Sequence, residues 1–176
     1  TTSTKQAACD GGVRNFQTVY SPQGEIYQFG HNVNKKIRDI HNRIKSLKTL
    51  CFTCKDKTYT LKLRLRRAIL QENLKNKITD LHYKTANSLC ENYSTIVLPH
   101  FGTRSMIKGK KLSHDIKKET LTLSHAMFRN RLISKAETRG CLVLLPRNET
   151  GTTKTCGICF RENNKVGASE VFECQH

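Results

Sequence analysis

The chain has 176 residues and carries 31 Lys and Arg against 14 Asp and Glu, for a formal charge of +17. That length suits one sizeable core with a small satellite module, and the cation excess favours a polyanionic partner over mere solubility, because each neutralised phosphate releases counterions. No apolar run approaches the roughly 18 residues of a membrane span. The chain also opens without a signal peptide, so its eight cysteines read as reduced thiols of an intracellular protein.

Residues 1–9 are weakly apolar and lead into Asp10-Gly-Gly12. A strand ending there sets a carboxylate at a sheet edge with backbone free to approach a ligand, although Asp-Gly is equally an ordinary turn pair. Residues 13–20 and 25–29 alternate around Ser21-Pro-Gln-Gly24, which predicts an antiparallel hairpin. From His31 the period changes. Val33, Ile37, Ile40, Ile44, Leu47 and Leu50 fall three or four apart, as in an amphipathic helix, with Lys35, Lys36, Arg38, Arg43, Lys45 and Lys48 on its polar side. Cys51 and Cys54 close it, either as a second metal pair or as small buried hydrophobes.

Leu61 to Arg66 alternates like a strand, yet Leu65, Ile69, Leu70, Leu74, Ile78, Leu81 and Leu89 continue at helical spacing. With no Gly or Pro in residues 55–98, one long helix is predicted over about 59–92. Residues 94–98 form a short buried strand halted by Pro99. A basic, glycine-containing stretch follows, with Arg104, Lys108, Lys110 and Lys111, and is expected to be a mobile loop; Lys117 and Lys118 extend its charge. Ile116 to Arg139 is predicted as one helix with Leu121, Phe128, Leu132 and Ala136 on one side. Gly140 ends it, and a strand follows over 141–145. Helices alternating with short apolar strands predict an α/β layer fold with a mixed sheet.

Cys156-Gly-Ile-Cys159 followed by Cys174-Gln-His176 has the spacing of a zinc ribbon. Cys156, Cys159, Cys174 and His176 are the candidate ligands of a structural Zn²⁺, which takes four; the fourth ligand is alternatively a residue beyond His176. Most acids fall on predicted helices, where solvated faces are the default. Asp10 and Glu149 remain, each just after a central strand, and such a pair is suited to holding Mg²⁺ for phosphodiester chemistry.

Asp10-Gly-Gly-Val-Arg-Asn-Phe16, Tyr20-Ser-Pro-Gln-Gly-Glu25, Ala86-Asn-Ser-Leu-Cys-Glu-Asn-Tyr93, Val97-Leu-Pro99, Ser124-His-Ala-Met-Phe-Arg-Asn-Arg-Leu132, Asn148-Glu-Thr150, Thr153-Lys-Thr-Cys-Gly-Ile-Cys159 and Val171-Phe-Glu-Cys174 occur in this order. Together they resemble the nuclease core of the transposon-encoded TnpB proteins, above all their Fanzor relatives. The resemblance implies an RNase H-like (RuvC-type) fold over residues 1–152, with long inserted helices, and a C-terminal zinc ribbon over 153–176. It implies a DNA endonuclease guided by RNA, with guide RNA and target DNA as partners and a nuclear location if the source is eukaryotic or viral. Asp10 matches the first catalytic aspartate, and Glu149 matches the glutamate that Fanzor-like relatives carry beside the strand before the ribbon.

Two departures bear on activity. Asp-Pro-Gly after the first strand is Asp-Gly-Gly here, and the family's third catalytic aspartate, which follows the ribbon, has no counterpart before His176. The chain alone is therefore expected to bind Mg²⁺ weakly and to cut nothing. The competing expectation is a decayed, non-catalytic zinc module that binds nucleic acid. Its contacts, like those of the nuclease, would come from Lys35, Lys36, Arg43, Arg104, Lys108, Lys110 and Lys111.

Overall fold

The computed structural model describes residues 5–109, 112–146, 151, 154–165 and 172–174. The chain divides into two compact units, Thr1–Leu145 and Pro146–His176. The first opens with three strands, β1 (Gln6–Gly11), β2 (Gln17–Tyr20) and β3 (Ile26–Phe29). The Ser21–Glu25 turn works as its residues predict. Gly24 takes φ 87°, which a side chain would resist, and Ser21 N donates to the Glu25 carbonyl at 2.9 Å.

Two long helices follow, α1 (Val33–Thr53) and α2 (Lys57–Asn92). Asp56 caps α2, accepting from the backbone N–H of Thr58 and Tyr59, which satisfies two donors that a helix start leaves open. The alternating leucines 61–65 therefore lie on a helix. Leu63 is buried, while Leu61 and Leu65 are exposed. The 36 residues of α2 extend about 54 Å. Strand β4 (Thr95–Val97) comes next, then α3 (Thr103–Lys108), α4 (His114–Leu123), α5 (His125–Arg139) and β5 (Leu142–Leu144).

Two expectations change. The segment after Pro99 contains α3, so it is not simply a loop. The single helix 116–139 is broken at Ser124, whose φ of 48° is left-handed and cannot continue a right-handed helix. The break shifts the buried face: Leu121 is exposed, whereas Glu119, Thr120 and Leu123 are buried.

The five strands form one mixed sheet in the order β3-β2-β1-β4-β5. β1, β2 and β3 pair antiparallel, and β4 and β5 join β1 in parallel. Ala7, Cys9, Val19 and Ile96 point to one face and join Ile78, Leu89, Phe128 and Leu132 from the helices in the core. The other face is uncovered among the described residues. Ile26, Tyr20, Ala8, Val97 and Leu144 are successive partners across all five strands. Ile26, Tyr20 and Leu144 in that row are 65%, 50% and 44% exposed. Asp10 lies on this same face two residues beyond Ala8, since side chains alternate along a strand.

Candidate active site and metal centre

Asp10 sits near the end of the central strand, opposite Thr18. It enters none of the ion pairs among the described residues. Loss of water around it holds its carboxyl above the ordinary value, a cost that a bound cation would offset. Its charge acts on the next side chain inward. The Cys9 thiol is pushed up to about 12, first by burial and then by Asp10.

The backbone after Asp10 is tightly held. A Cβ on Gly12 would come 2.8 Å from the Asn15 carbonyl oxygen, so only glycine fits without a shift. His125, buried at the start of α5, meets the Gly12 carbonyl through Nε2 at 3.1 Å. A carbonyl only accepts, so Nε2 carries the proton, and Nδ1 accepts from Gln17 Nε2 at 3.4 Å. Its ring stacks on Phe101 at 3.9 Å and on Phe16 at 5.1 Å. Phe16 stacks in turn on His82 at 4.9 Å. Burial depresses both imidazoles to about 4, so both are neutral near pH 7. This column of rings was not read from the sequence as part of the site. Its one signal was Ser124-His125 in the stretch that carries the resemblance.

Where β4 ends beside β1, the chain has Leu98, Pro99, His100 and Phe101, so no carboxylate comes from this strand. Glu149 lies outside the described residues, as do Lys110, Lys111 and His176. Lys35, Lys36 and Arg43 are exposed on α1, and Arg104 and Lys108 are exposed on α3. One acid departs from the solvated-face expectation. Glu119 is 1% exposed and accepts from Arg38 Nε at 2.7 Å, tying α1 to α4.

In the second unit, Cys156, Cys159 and Cys174 bring their sulfurs within 4.8 Å of one another, with Cys159 and Cys174 3.6 Å apart. Ligands at about 2.3 Å on a tetrahedral zinc sit about 3.8 Å from each other, so the cluster fits that ion. Local backbone builds it. Thr155 pairs with Glu162 in an antiparallel bridge, Phe160 N donates to the Cys156 carbonyl at 3.0 Å, and Phe160 takes φ 58° to turn the chain. The backbone N–H of Cys159, then that of Ile158, then Cys174 lower the Cys156 thiol to about 7, toward the thiolate a metal requires. The three cysteines are close enough to bind a metal such as zinc. They are the only group of three or more Cys, His or acidic residues so placed among the described residues. Cys51 and Cys54 are half-buried free thiols and belong to no such group.

No protein-family model matches the sequence. Whole proteins do. The chain is 30% identical over 167 residues to a candidate transposase of Paramecium bursaria Chlorella virus 1, covering 95% of this chain and 38% of that protein. It is 32% identical over 170 residues to a candidate transposase of Acanthamoeba polyphaga mimivirus, covering 94% and 35%. A TnpB-like protein of the same virus is 31% identical over 176 residues, covering 94% and 32%. This chain belongs to the TnpB-like transposase family. It spans about a third of the length of these relatives. For a TnpB-like chain the layout has a clear division: a mixed α/β unit that holds Asp10, and a cysteine cluster in a separate compact unit. No helix among the described residues is long and apolar enough to cross a membrane.

Proposed function

We propose that the chain is the nuclease core of an RNA-guided DNA endonuclease of the Fanzor-like branch, built on an RNase H-like (RuvC-type) fold. The observation that carries the reading is Asp10 at the end of the central strand, on the open face of a sheet ordered β3-β2-β1-β4-β5. An antiparallel meander extended by two parallel strands is a mixed sheet, which the resemblance implies for such a core. The curated relatives support a transposon-associated nuclease family in the same direction.

In this reading Asp10 and Glu149 hold Mg²⁺, which supplies charge stabilisation for phosphodiester hydrolysis. Glycines 11 and 12 keep backbone close beside the acid. His125, neutral and fixed at both nitrogens, orients the Gly12 carbonyl and takes no proton itself. The cysteine cluster, completed by His176 or another ligand, holds a structural Zn²⁺. Exposed Lys35, Lys36, Arg43, Arg104 and Lys108, joined by Lys110 and Lys111, take guide RNA and target DNA through phosphates. Action on DNA in a cell implies an intracellular, and in a eukaryotic host nuclear, location.

One observation favours a second reading, a zinc-containing nucleic-acid-binding module without chemistry: where β4 ends beside β1 the chain carries Leu98, Pro99, His100 and Phe101 and no carboxylate. Cleavage decides between them. A longer protein containing this chain, loaded with guide RNA, is expected to cut DNA only with Mg²⁺. Asp10→Ala and Glu149→Ala are each expected to abolish cutting and to leave guide binding intact. Normal cutting by Glu149→Ala would overturn its assignment, and a longer protein that binds guide but never cuts would leave the binding module.

A further inference from the structure

Arg131 on α5 carries a charge that its surroundings orient without cancelling. One guanidinium nitrogen donates to His82 Nδ1 at 2.7 Å and another donates to Thr79 Oγ1 at 3.4 Å. The guanidinium carbon lies 5.3 Å from the centre of the Tyr83 ring. His82 uses its other nitrogen on the Leu123 carbonyl at 2.8 Å, so Nδ1 is a bare acceptor and the ring is neutral. All three partners are thus uncharged. Arg131 enters none of the ion pairs found among the described residues.

Two adjoining cavities, of about 270 and 360 Å³, open on this guanidinium and share Arg131 and Met127 in their walls. Among the described residues no carboxylate lines either one. Lys75 lines the first and Lys135 the second. Tyr83 and Met127, beside the cation, are 48% and 52% exposed, and the buried Leu74 and Ile78 line the first cavity with Met127.

We propose that this furrow between α2 and α5 binds single-stranded nucleic acid, with Arg131 on a phosphate and a base laid against Tyr83 and Met127. The charge asks for an anion, and the planar, fork-shaped guanidinium suits a phosphate. The exposed ring beside it asks for a flat apolar partner. A nucleotide satisfies both, whereas an acidic peptide satisfies only the first. A base laid against the Tyr83 ring must be unstacked and free of its partner, which a single strand offers and a duplex does not. The inference rests on the nucleic-acid partner of the proposed function, and not on its cleavage chemistry.

The test uses the 176-residue chain and a dye-labelled oligodeoxythymidine of about 15 nucleotides, with binding read by fluorescence anisotropy in buffer without Mg²⁺. Tyr83→Ala, at an exposed position, is expected to weaken binding about fivefold or more, the loss of one stacked base. Lys135→Gln is expected to reduce the log–log salt slope by about 0.7. A 4-thiothymidine oligonucleotide is expected to cross-link to the peptides carrying Tyr83 or Met127. Unchanged affinity and slope in the two variants, or cross-links confined to α1, would overturn the proposal. So would equal competition by a duplex of the same length or by a polyglutamate peptide, the latter pointing to an acidic protein instead. Because no Mg²⁺ is present, failure here leaves the Mg²⁺-dependent cleavage assay free to stand. Intact binding with no cleavage in the longer protein removes only the nuclease reading.

Discussion

His125 donates from Nε2 to the Gly12 carbonyl at 3.1 Å, so the first turn of α5 anchors the backbone that follows Asp10. The contact joins positions 113 apart in sequence, and it depends on an imidazole that stays neutral. His82 is in the same condition, with both nitrogens engaged by Leu123 and Arg131.

Stability is therefore expected to fall in mild acid. Burial lowers both rings from 6.5 to about 4 in the folded chain. Above pH 6.5 both states are neutral and the full stability is present. Between 6.5 and 4 the unfolded chain takes up protons that the folded chain refuses, so stability drops as pH falls; below 4 the loss is complete. Each ring contributes roughly 3 kcal/mol at most. Urea unfolding between pH 7.5 and 4, with ring titration followed by NMR, checks this. Imidazoles titrating near 6.5 in the folded chain would contradict it.

Phe16 is fully buried and in ring contact with His82, His125 and Phe128. Phe16→Ala is expected to cost about 3–5 kcal/mol. Phe52→Ala, at a site 79% exposed, is expected to change stability by about 0.5 kcal/mol or less. The two urea midpoints provide the comparison, and similar values would mean that Phe16 is not part of the core.

The Arg38–Glu119 pair has an asymmetric environment: the carboxylate is buried, the guanidinium half-exposed. Among the described residues Glu119 Oε2 has no hydrogen-bond partner, so Arg38 is its main compensation. Arg38→Ala is expected to destabilise clearly more than Arg43→Ala on the same helix, since it strands a buried charge. Adding Glu119→Gln to Arg38→Ala is expected to restore part of the loss. Equal urea midpoints for the two arginine variants would show that Glu119 does not need its partner.

One zinc per chain is expected by elemental analysis of protein purified without chelator. Removing it is expected to unfold the Pro146–His176 unit while helical circular dichroism from α1, α2 and α5 persists, because a closed zinc site contributes folding free energy directly. Cys156→Ser is expected to do the same. Two zincs per chain would instead assign a role to Cys51 and Cys54, and none would remove the metal centre.

The sequence by itself determined what depends on neighbours along the chain. The three- and four-residue spacing from Val33 to Leu47 marks α1, the Ser21–Gly24 turn sets the hairpin, and Gly140, with φ 70°, ends α5. The Cys156–Cys159 spacing was legible for the same reason, as one tight turn fixes both thiols. The sequence also placed Asp10 at the end of the first strand, and β1 runs one residue past it to Gly11.

What only the tertiary structure decided depends on distant partners. Glu119 looks like any helical surface acid until Arg38 reaches it from a residue 81 positions away. Leu121 faces out because Ser124 turns left-handed, which no apolar spacing announces. The row Ile26-Tyr20-Ala8-Val97-Leu144 comes from strands spread along most of the first unit and exists only through the sheet register. His82 and His125 owe their neutral state to burial, and Arg131 takes its orientation from His82 and Thr79. Burial and long-range hydrogen bonds are properties of the folded chain, and local sequence does not encode them position by position.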